Sequence, residues 1–180
     1  STYMNIPLVH IQGGEVSGNI DDRVRHAITK LADYHFTCSA EARARVISFG
    51  ENPNHIYNLG CPAMDILRNQ NLSINNKKMH HYGGTGKDIN WEKPYILMVQ
   101  HPVTTSYGNG RQEVEESLNA LLHFKDIQKV VLWPNIDAGS DDVSKGIRIF
   151  REREKPKYIH FYKNFSPEDF IKLIANCLCQ

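Results

Sequence analysis

Three carboxylates and a histidine lie within one glycine-rich stretch: Glu15, Asp21, Asp22 and His26. Carboxylates and imidazoles are the side chains that most often donate and accept protons in enzymes near neutral pH. Carboxylates that are crowded together repel one another, which raises the pKa of at least one of them towards neutrality. This stretch is therefore predicted to carry the general acid and base groups of an enzyme.

The carboxylates also have a structural interpretation. Asp21 or Asp22 lies where a helix N-cap belongs before Val24, and for Asp22 capping and catalysis are equally supported. Glu15 lies between two glycines, away from any predicted cap, so it is the strongest catalytic candidate.

Arg25 and His26 are expected in the first turn of the helix that follows. The positive end of a helix favours neutral imidazole over imidazolium, which suits a hydrogen-bonding or proton-relay histidine. An ordinary polar position on the exposed side of the helix is an equally good interpretation of His26.

The elements that must position these residues follow from the apolar pattern. Continuous apolar, β-branched or aromatic runs predict six strands, at 6–11, 34–38, 55–60, 95–100, 130–135 and 158–162. Such runs are typical of parallel strands covered on both faces. Helical patterns lie between most of them, with Ser39, Ser140 and Ser166 as predicted N-caps. The alternation predicts an α/β fold with right-handed crossovers.

Further polar groups follow the fourth and fifth predicted strands. His101 ends the fourth strand and precedes two threonines, so it could hold a diphosphate, although a turn histidine satisfied by its neighbours is the alternative. Asn135 ends the fifth strand, before a predicted helix whose N-terminus could bind an anion. Ligands of open α/β sheets bind at these carboxyl ends of strands, which is also where the Glu15 turn lies.

The middle of the chain interrupts the alternation of predicted strands and helices. Residues 69–93 are polar and show no apolar period, which predicts a linker or an exposed excursion between two units, 1–68 and 94–180. Each unit would hold about three strands, too few for a covered doubly wound sheet. We therefore expect an internal fragment of a larger two-domain protein.

Composition excludes several classes of function. With 21 basic and 20 acidic residues the net charge is +1, so no field attracts nucleic acid or an acidic membrane. No run of apolar residues is long enough to span a membrane, and no signal peptide is seen. The four cysteines are interpreted as small buried hydrophobic residues of a reduced, cytoplasmic protein, and they form no zinc-site pattern.

Five motifs in the same order resemble the hydrolysing UDP-N-acetylglucosamine 2-epimerases of sialic and legionaminic acid biosynthesis. They are His10-Ile11-Gln12-Gly13-Gly14-Glu15-Val16-Ser17-Gly18, Ile20-Asp21-Asp22 with Arg25-His26-Ala27, Gly60-Cys61-Pro62, Gln100-His101-Pro102-Val103-Thr104-Thr105 and Pro134-Asn135-Ile136-Asp137-Ala138-Gly139-Ser140. The resemblance implies two Rossmann-like parallel-sheet domains in a GT-B-like arrangement, with substrate in the cleft between them. The latter part of the N-terminal domain and the first half of the C-terminal one would be present.

The resemblance also implies roles for single residues. The catalytic set would be Glu15, Asp21, Asp22 and His26, with Asp22 the weakest match. The substrate-binding set would be Gln12, Arg25, His101, Asn135 and Phe165, the last through its backbone. Some relatives have a carboxylate where this chain has Gln12, which shifts the acid–base work to Glu15.

The implied activity converts UDP-N-acetylglucosamine to N-acetylmannosamine and UDP by elimination of UDP and hydration of a glycal. A UDP-2,4-diacetamido sugar as the substrate, transfer of the sugar to an acceptor, and a non-catalytic nucleotide-sugar-binding module are the alternatives. The implied protein needs no metal or cofactor, forms homo-oligomers (a dimer or tetramer) and is cytoplasmic.

Overall fold

The computed structural model describes residues 2–18, 20–103 and 106–180, without the side chains of Thr2 and Lys77. Its internal packing divides the chain into two compact units, Ser1–Asn69 and Gln70–Gln180, and each is described by itself. Within the described ranges, no helix combines the length and apolar character needed to cross a bilayer.

Unit 1 is a βαβαβ arrangement around a small parallel sheet. Its elements are β1 (Val9–Ile11), α1 (Ile20–Leu31), β2 (Tyr34–Thr37), α2 (Ala40–Ser48), β3 (Ile56–Asn58) and α3 (Pro62–Arg68), with short 3₁₀ turns at Thr2–Met4 and Pro53–His55. The strand order is β1-β2-β3, and both pairs are parallel. Ser39 caps α2 by accepting a hydrogen bond from the Ala42 amide at 3.1 Å, as predicted.

Unit 2 is a larger α/β unit with helices on both faces of its sheet. Its elements are α4 (Asn76–Met79), β4 (Gly84–Gly86), β5 (Tyr95–Val99), α5 (Gly110–Leu121), β6 (Gln128–Leu132), α6 (Ser140–Glu154), β7 (Ile159–Tyr162) and α7 (Pro167–Asn176). The order is β4-β7-β6-β5, in which β5, β6 and β7 are parallel and β4 is antiparallel to β7. Separate apolar clusters cover the two faces, one including Leu97 and Leu173 and the other Val114 and Phe150. The predicted α/β class with parallel sheets is confirmed.

The polar segment 69–93 differs from the predicted linker. It supplies α4 and the edge strand β4, and three of its apolar residues, Met79, Ile89 and Trp91, are buried in the core of unit 2. These three are spaced too irregularly to show a period. Gly84 and Gly86 allow β4 to approach β7 closely, since a Cβ at either position would overlap backbone atoms of β7.

In unit 2, the predicted N-cap of α7 is confirmed and that of α6 is wrong. Ser166 caps α7 by accepting from the Asp169 amide at 3.2 Å. Ser140 does not cap α6, because Gly139 occupies the cap with a φ of 94° and Ser140 is the first helical residue. A glycine reaches that left-handed conformation without strain, and it is followed directly by the helix.

Candidate active site

The turn after β1 is fixed by arginines from two different helices. Arg25 of α1 donates through Nη1 to the Glu15 carbonyl oxygen at 2.9 Å. Arg45 of α2 donates to the carbonyl oxygen of Gly14, a buried glycine with a φ of 80°. The peptide groups on both sides of the Glu15 Cα are therefore held in one conformation.

Asp22 holds the other end of the same turn. Its carboxylate accepts from the amides of Ser17 and Gly18, both at 2.8 Å, and from the Ser17 hydroxyl at 2.9 Å. Arg25 adds an ion pair at 2.7 Å. The Ser17 amide is the largest cause that lowers the pKa of Asp22 to about 2, followed by the Gly18 amide, the Ser17 hydroxyl and Arg25. Asp22 is thus not a carboxylate whose pKa crowding raises, because hydrogen-bond donors surround it.

The predicted N-cap position of Asp21 and Asp22 is also wrong. The α1 helix begins at Ile20, so both aspartates lie inside its first turn. Negative side chains there are favoured by the helix dipole, and Asp22 satisfies amides of the preceding turn.

Glu15 itself is half-buried, directly after the buried Gly14. Among the described residues, none hydrogen-bonds its carboxylate. That carboxylate lies close enough to the Cys38 thiol to raise the thiol's pKa, in addition to the larger effects of burial and of Cys61. Glu15 therefore has a fixed backbone and a carboxylate that no described residue hydrogen-bonds.

Gln12 lies at the same edge of the unit 1 sheet. Its amide donates to the Phe36 carbonyl oxygen at 2.8 Å, and its side-chain Nε2 donates to the Cys61 sulfur at 3.7 Å. Cys38 and Cys61 are only half-buried, so the interpretation of all cysteines as buried hydrophobic residues is wrong for this pair. Their exposure could have been inferred from their positions in the sequence, because both lie in loops outside the strands and helices. Cys38 directly follows β2, and Cys61 directly precedes α3.

Arg25 and His26 lie one turn further into the helix than predicted. Because α1 begins at Ile20, both are in its second turn, where the field of the helix dipole has largely decayed. The His26 ring packs edge-on against Phe49 with centroids 4.7 Å apart, and its buried Nδ1 has no hydrogen-bond partner among the described residues. Arg25 supports the Glu15 turn, and His26 contacts the end of α2.

In unit 2, the three residues predicted to contact the nucleotide line one pocket of about 630 Å³. His101, Asn135 and Phe165 reach it from the carboxyl ends of β5, β6 and β7. The Asn135 amide donates to His101 Nδ1 at 3.3 Å. A neutral imidazole that accepts at Nδ1 carries its proton on Nε2, so His101 is arranged to donate a hydrogen bond.

Phe165 is buried and is fixed by its neighbours. Its ring packs against Tyr82 and Tyr162, with centroids 4.5 and 4.8 Å apart, and its amide donates to the Asn164 side chain at 2.9 Å. The predicted helix N-terminus near this pocket is that of α6, whose first turn carries Asp141 and Asp142. Those two carboxylates oppose binding of an anion at that end.

Comparison with known proteins defines the family. A family model described as UDP-N-acetylglucosamine 2-epimerase matches residues 1–179. The chain belongs to this family. A curated relative, the UDP-N,N'-diacetylbacillosamine 2-epimerase (hydrolyzing) of Legionella pneumophila, is 30% identical over 97% of the chain and 44% of that protein. The polysialic acid biosynthesis protein P7 of Escherichia coli is 31% identical over 94% of the chain and 42% of its own length.

Solved structures of the family share this fold. The UDP-GlcNAc 2-epimerase of Neisseria meningitidis bound to UDP-GlcNAc superposes with a TM-score of 0.68 at 14% identity, covering 98% of the chain and 47% of that structure. The Rickettsia bellii enzyme gives 0.65 at 18% identity, over 98% of the chain and 45% of its own. The chain thus spans less than half the length of each of these four relatives.

Two residues of this family member were missed by the sequence analysis. Lys163 lines the unit 2 pocket, and its signal is its position directly after β7, at the same edge of the sheet as His101, which lies two residues after β5. Arg45 clamps the Glu15 turn from the middle of α2, and no sequence signal separates it from other helical arginines.

Proposed function

We propose that this chain supplies the acid–base turn and part of the nucleotide site of a hydrolysing 2-epimerase. The reaction would convert UDP-N-acetylglucosamine to N-acetylmannosamine and UDP. The observation that carries the proposal is the fixed turn at the carboxyl edge of a parallel sheet, in which no described residue hydrogen-bonds the Glu15 carboxylate. Family membership and relatives named as hydrolyzing epimerases support the reaction type.

The chemistry explains why carboxylates are needed. The C2 proton of an N-acetylhexosamine is not acidic, because no carbonyl is conjugated with C2. Departure of UDP must therefore lead and leave positive charge near C1, while the C2 proton is lost alongside or just behind. The resulting glycal takes up water, which places a hydroxyl on C1 and a proton from the solvent on the opposite face of C2. Fixed negative groups around the ring stabilise such a cation without reorganising.

The carboxylates divide this work in the proposal. Glu15 accepts the C2 proton, and Asp21 is the second acid–base candidate. Asp22, with a pKa of about 2, stays ionised near neutral pH and contributes negative charge while it holds the turn. His26 stays a prediction, and the structure assigns it a packing contact with Phe49.

The unit 2 pocket would bind the nucleotide. His101 donates from Nε2 to a diphosphate oxygen, and Lys163 adds positive charge at the same pocket. Asn135 and Phe165 complete the predicted contacts, while Gln12 and Arg25 stay substrate-side predictions in unit 1. The GT-B-like two-domain arrangement, the homo-oligomer and the cytoplasmic location also stay predictions.

A UDP-2,4-diacetamido sugar is the second candidate substrate. The observation in its favour is the Legionella pneumophila relative, which is named for diacetylbacillosamine. Incubating the full-length protein with each UDP sugar separates the two by the rate of UDP release. A non-catalytic binding module would bind UDP and release none from either sugar.

Replacement of Glu15 tests the central role. Glu15→Gln keeps the shape of the side chain and removes its basicity, so turnover should fall at least about 100-fold, since general acid–base groups contribute about 10²–10⁴. UDP affinity, measured by calorimetry, should stay nearly unchanged. The matched control is Glu41→Gln, an exposed glutamate in the first turn of α2, which should keep its activity. An equal loss of turnover and UDP affinity in Glu15→Gln would show that Glu15 is structural.

A further inference from the structure

Two cysteines from different loops of unit 1 are brought together by the pairing of its strands. The parallel register places Thr37 beside Asn58, and the Leu59 amide donates to the Thr37 carbonyl oxygen at 3.1 Å. Cys38 directly follows Thr37, and Cys61 lies just beyond Leu59. Both thiols therefore leave the carboxyl edge of the sheet at neighbouring positions.

The two thiols are neighbours and remain accessible. The Cys38 and Cys61 side chains lie close enough for each to shift the pKa of the other, and Gln12 Nε2 donates to the Cys61 sulfur at 3.7 Å. Both residues are half-buried, and neither is in a disulfide. Neighbouring positions at one sheet edge make a disulfide feasible, and partial exposure admits a small oxidant.

The environments of the two thiols are unequal. The Met64 and Ala63 amides, at the start of α3, are the main causes that lower the pKa of Cys61. Burial is the main cause that raises the pKa of Cys38, and the Cys61 and Glu15 charges add to it. A more acidic thiol beside a less acidic one is typical of an attacking and a resolving cysteine.

We propose that Cys38 and Cys61 form a reversible oxidation site that reacts with hydroperoxides and closes to a disulfide. The Cys61 thiolate attacks one peroxide oxygen, the O–O bond breaks, and hydroxide leaves, so that Cys61 becomes a sulfenic acid. The Cys38 sulfur then attacks the Cys61 sulfur, the S–O bond breaks, and water leaves with the Cys38 proton. Two thiols are oxidised while one peroxide is reduced to the level of water. A dithiol reverses the change.

The site adjoins the turn of the proposed general base. Cys38 is near the Glu15 carboxylate, and Gln12 contacts Cys61 from the first residue after β1. A disulfide would remove the Gln12 contact with a thiol and draw the two loops together beside Glu15. Turnover should then fall on oxidation and return on reduction, a consequence that rests on the proposed function.

The test treats the folded full-length protein with hydrogen peroxide and maps the products by peptide mass spectrometry. The expected result is loss of two free thiols per chain and one linked peptide pair, Cys38 with Cys61, that dithiothreitol restores. Cys38→Ser should abolish the linked pair and leave Cys61 as a sulfenic acid that dimedone traps. The control Cys177→Ser, whose thiol instead donates to the Ile174 carbonyl oxygen, should form the linked pair as the unchanged protein does.

The outcomes separate the two proposals. Oxidation of Cys179 before Cys61, or a 38–61 link formed only after unfolding in urea, would overturn the oxidation site. A link that forms in the folded protein without any change in a measurable reduced-state turnover would overturn the regulatory consequence. Absence of turnover in the reduced protein would count against the proposed function and leave the thiol readout intact.

Discussion

At the scale of residues, the acids of the β1–α1 turn differ in what surrounds them. From the described residues, Asp22 accepts four hydrogen bonds, donated by two amides, a hydroxyl and Arg25. Glu15 has its carbonyl oxygen held, whereas no described residue hydrogen-bonds its carboxylate. A reacting residue needs a fixed backbone and a functional group that can reach the substrate, and these contacts give Glu15 both.

Asp22 should stabilise unit 1 in a pH-dependent way. Its pKa is lowered from 3.8 to about 2 in the folded state, so the unfolded chain takes up the proton first as the pH falls. The contribution is complete above pH about 4 and is lost as the pH falls from about 4 to about 2. In urea unfolding at several pH values, Asp22→Asn should be less stable than the unchanged protein near neutral pH. Its stability should also fall less steeply as the pH is lowered from about 4 to about 2.

Asp65→Asn is the matched control for Asp22, since Asp65 is an exposed aspartate of α3 in the same unit. Its stability should fall at low pH as steeply as that of the unchanged protein. An Asp22→Asn curve parallel to that of the unchanged protein over the same pH range would contradict the assigned hydrogen bonds.

His35 should produce a second pH effect, closer to neutrality. The His35 side chain is 1% exposed, and its Nδ1 has no partner among the described residues. Burial lowers the pKa of His35 below 6.5, because its effect is larger than the opposite effect of Glu51. The unfolded state therefore gains the proton first, and stability is complete above pH about 6.5 and declines below it. His35→Leu should reduce this decline in urea unfolding, whereas His123→Leu, at an exposed histidine, should not. An unchanged decline in His35→Leu would assign the effect to another group.

At the scale of elements, local signals predicted most helices and long strands, and missed what depends on distant pairing. Ser39 and Ser166 are found at the predicted caps because capping is decided within four residues. The edge strand β4 was missed because Gly84 and Gly86 carry no strand propensity, and their pairing with β7 is fixed by close packing.

The candidate site was predictable to the same extent. A glycine-rich turn after an apolar run locates Glu15 at a strand end, as the sequence indicates. The Arg45 clamp depends on how α2 packs against the Glu15 turn, and the proximity of Cys38 and Cys61 depends on the pairing of β2 with β3, which no local pattern encodes. Asp22 was misjudged because its donors lie in a turn whose conformation was unknown.

The turn itself should tolerate a side chain at one glycine and not at another. Gly14 and Gly18 have similar φ values of 80° and 78°, but a Cβ at Gly14 would lie 2.9 Å from Val46 Cγ2 and nearer still to the Ala42 carbonyl oxygen. Gly18→Ala meets no atom within 4 Å and should cost only the left-handed strain of about 1–2 kcal/mol. Gly14→Ala adds overpacking of about 1–3 kcal/mol and should be the less stable in urea unfolding. Equal costs for both would show that the turn is not packed against α2.

At the scale of the whole molecule, the proposal assigns different tasks to the two units. Unit 1 carries the Glu15 turn, and unit 2 carries the His101 pocket, so the proposed reaction needs residues of both. The net charge of +1 supplies no general attraction for a diphosphate, which leaves binding to local groups such as His101 and Lys163. The chain spans less than half the length of its curated relatives, and the activity proposed here is therefore one of the full-length protein.

The most direct test of proton removal at C2 is the reaction of the full-length protein with UDP-N-acetylglucosamine in heavy water. Mass spectrometry and proton NMR of the sugar product measure the isotope at C2, and the nucleotide is quantified in the same sample. We expect free UDP together with N-acetylmannosamine that carries one deuterium at C2. Release of UDP with a sugar that keeps its original C2 hydrogen would contradict it.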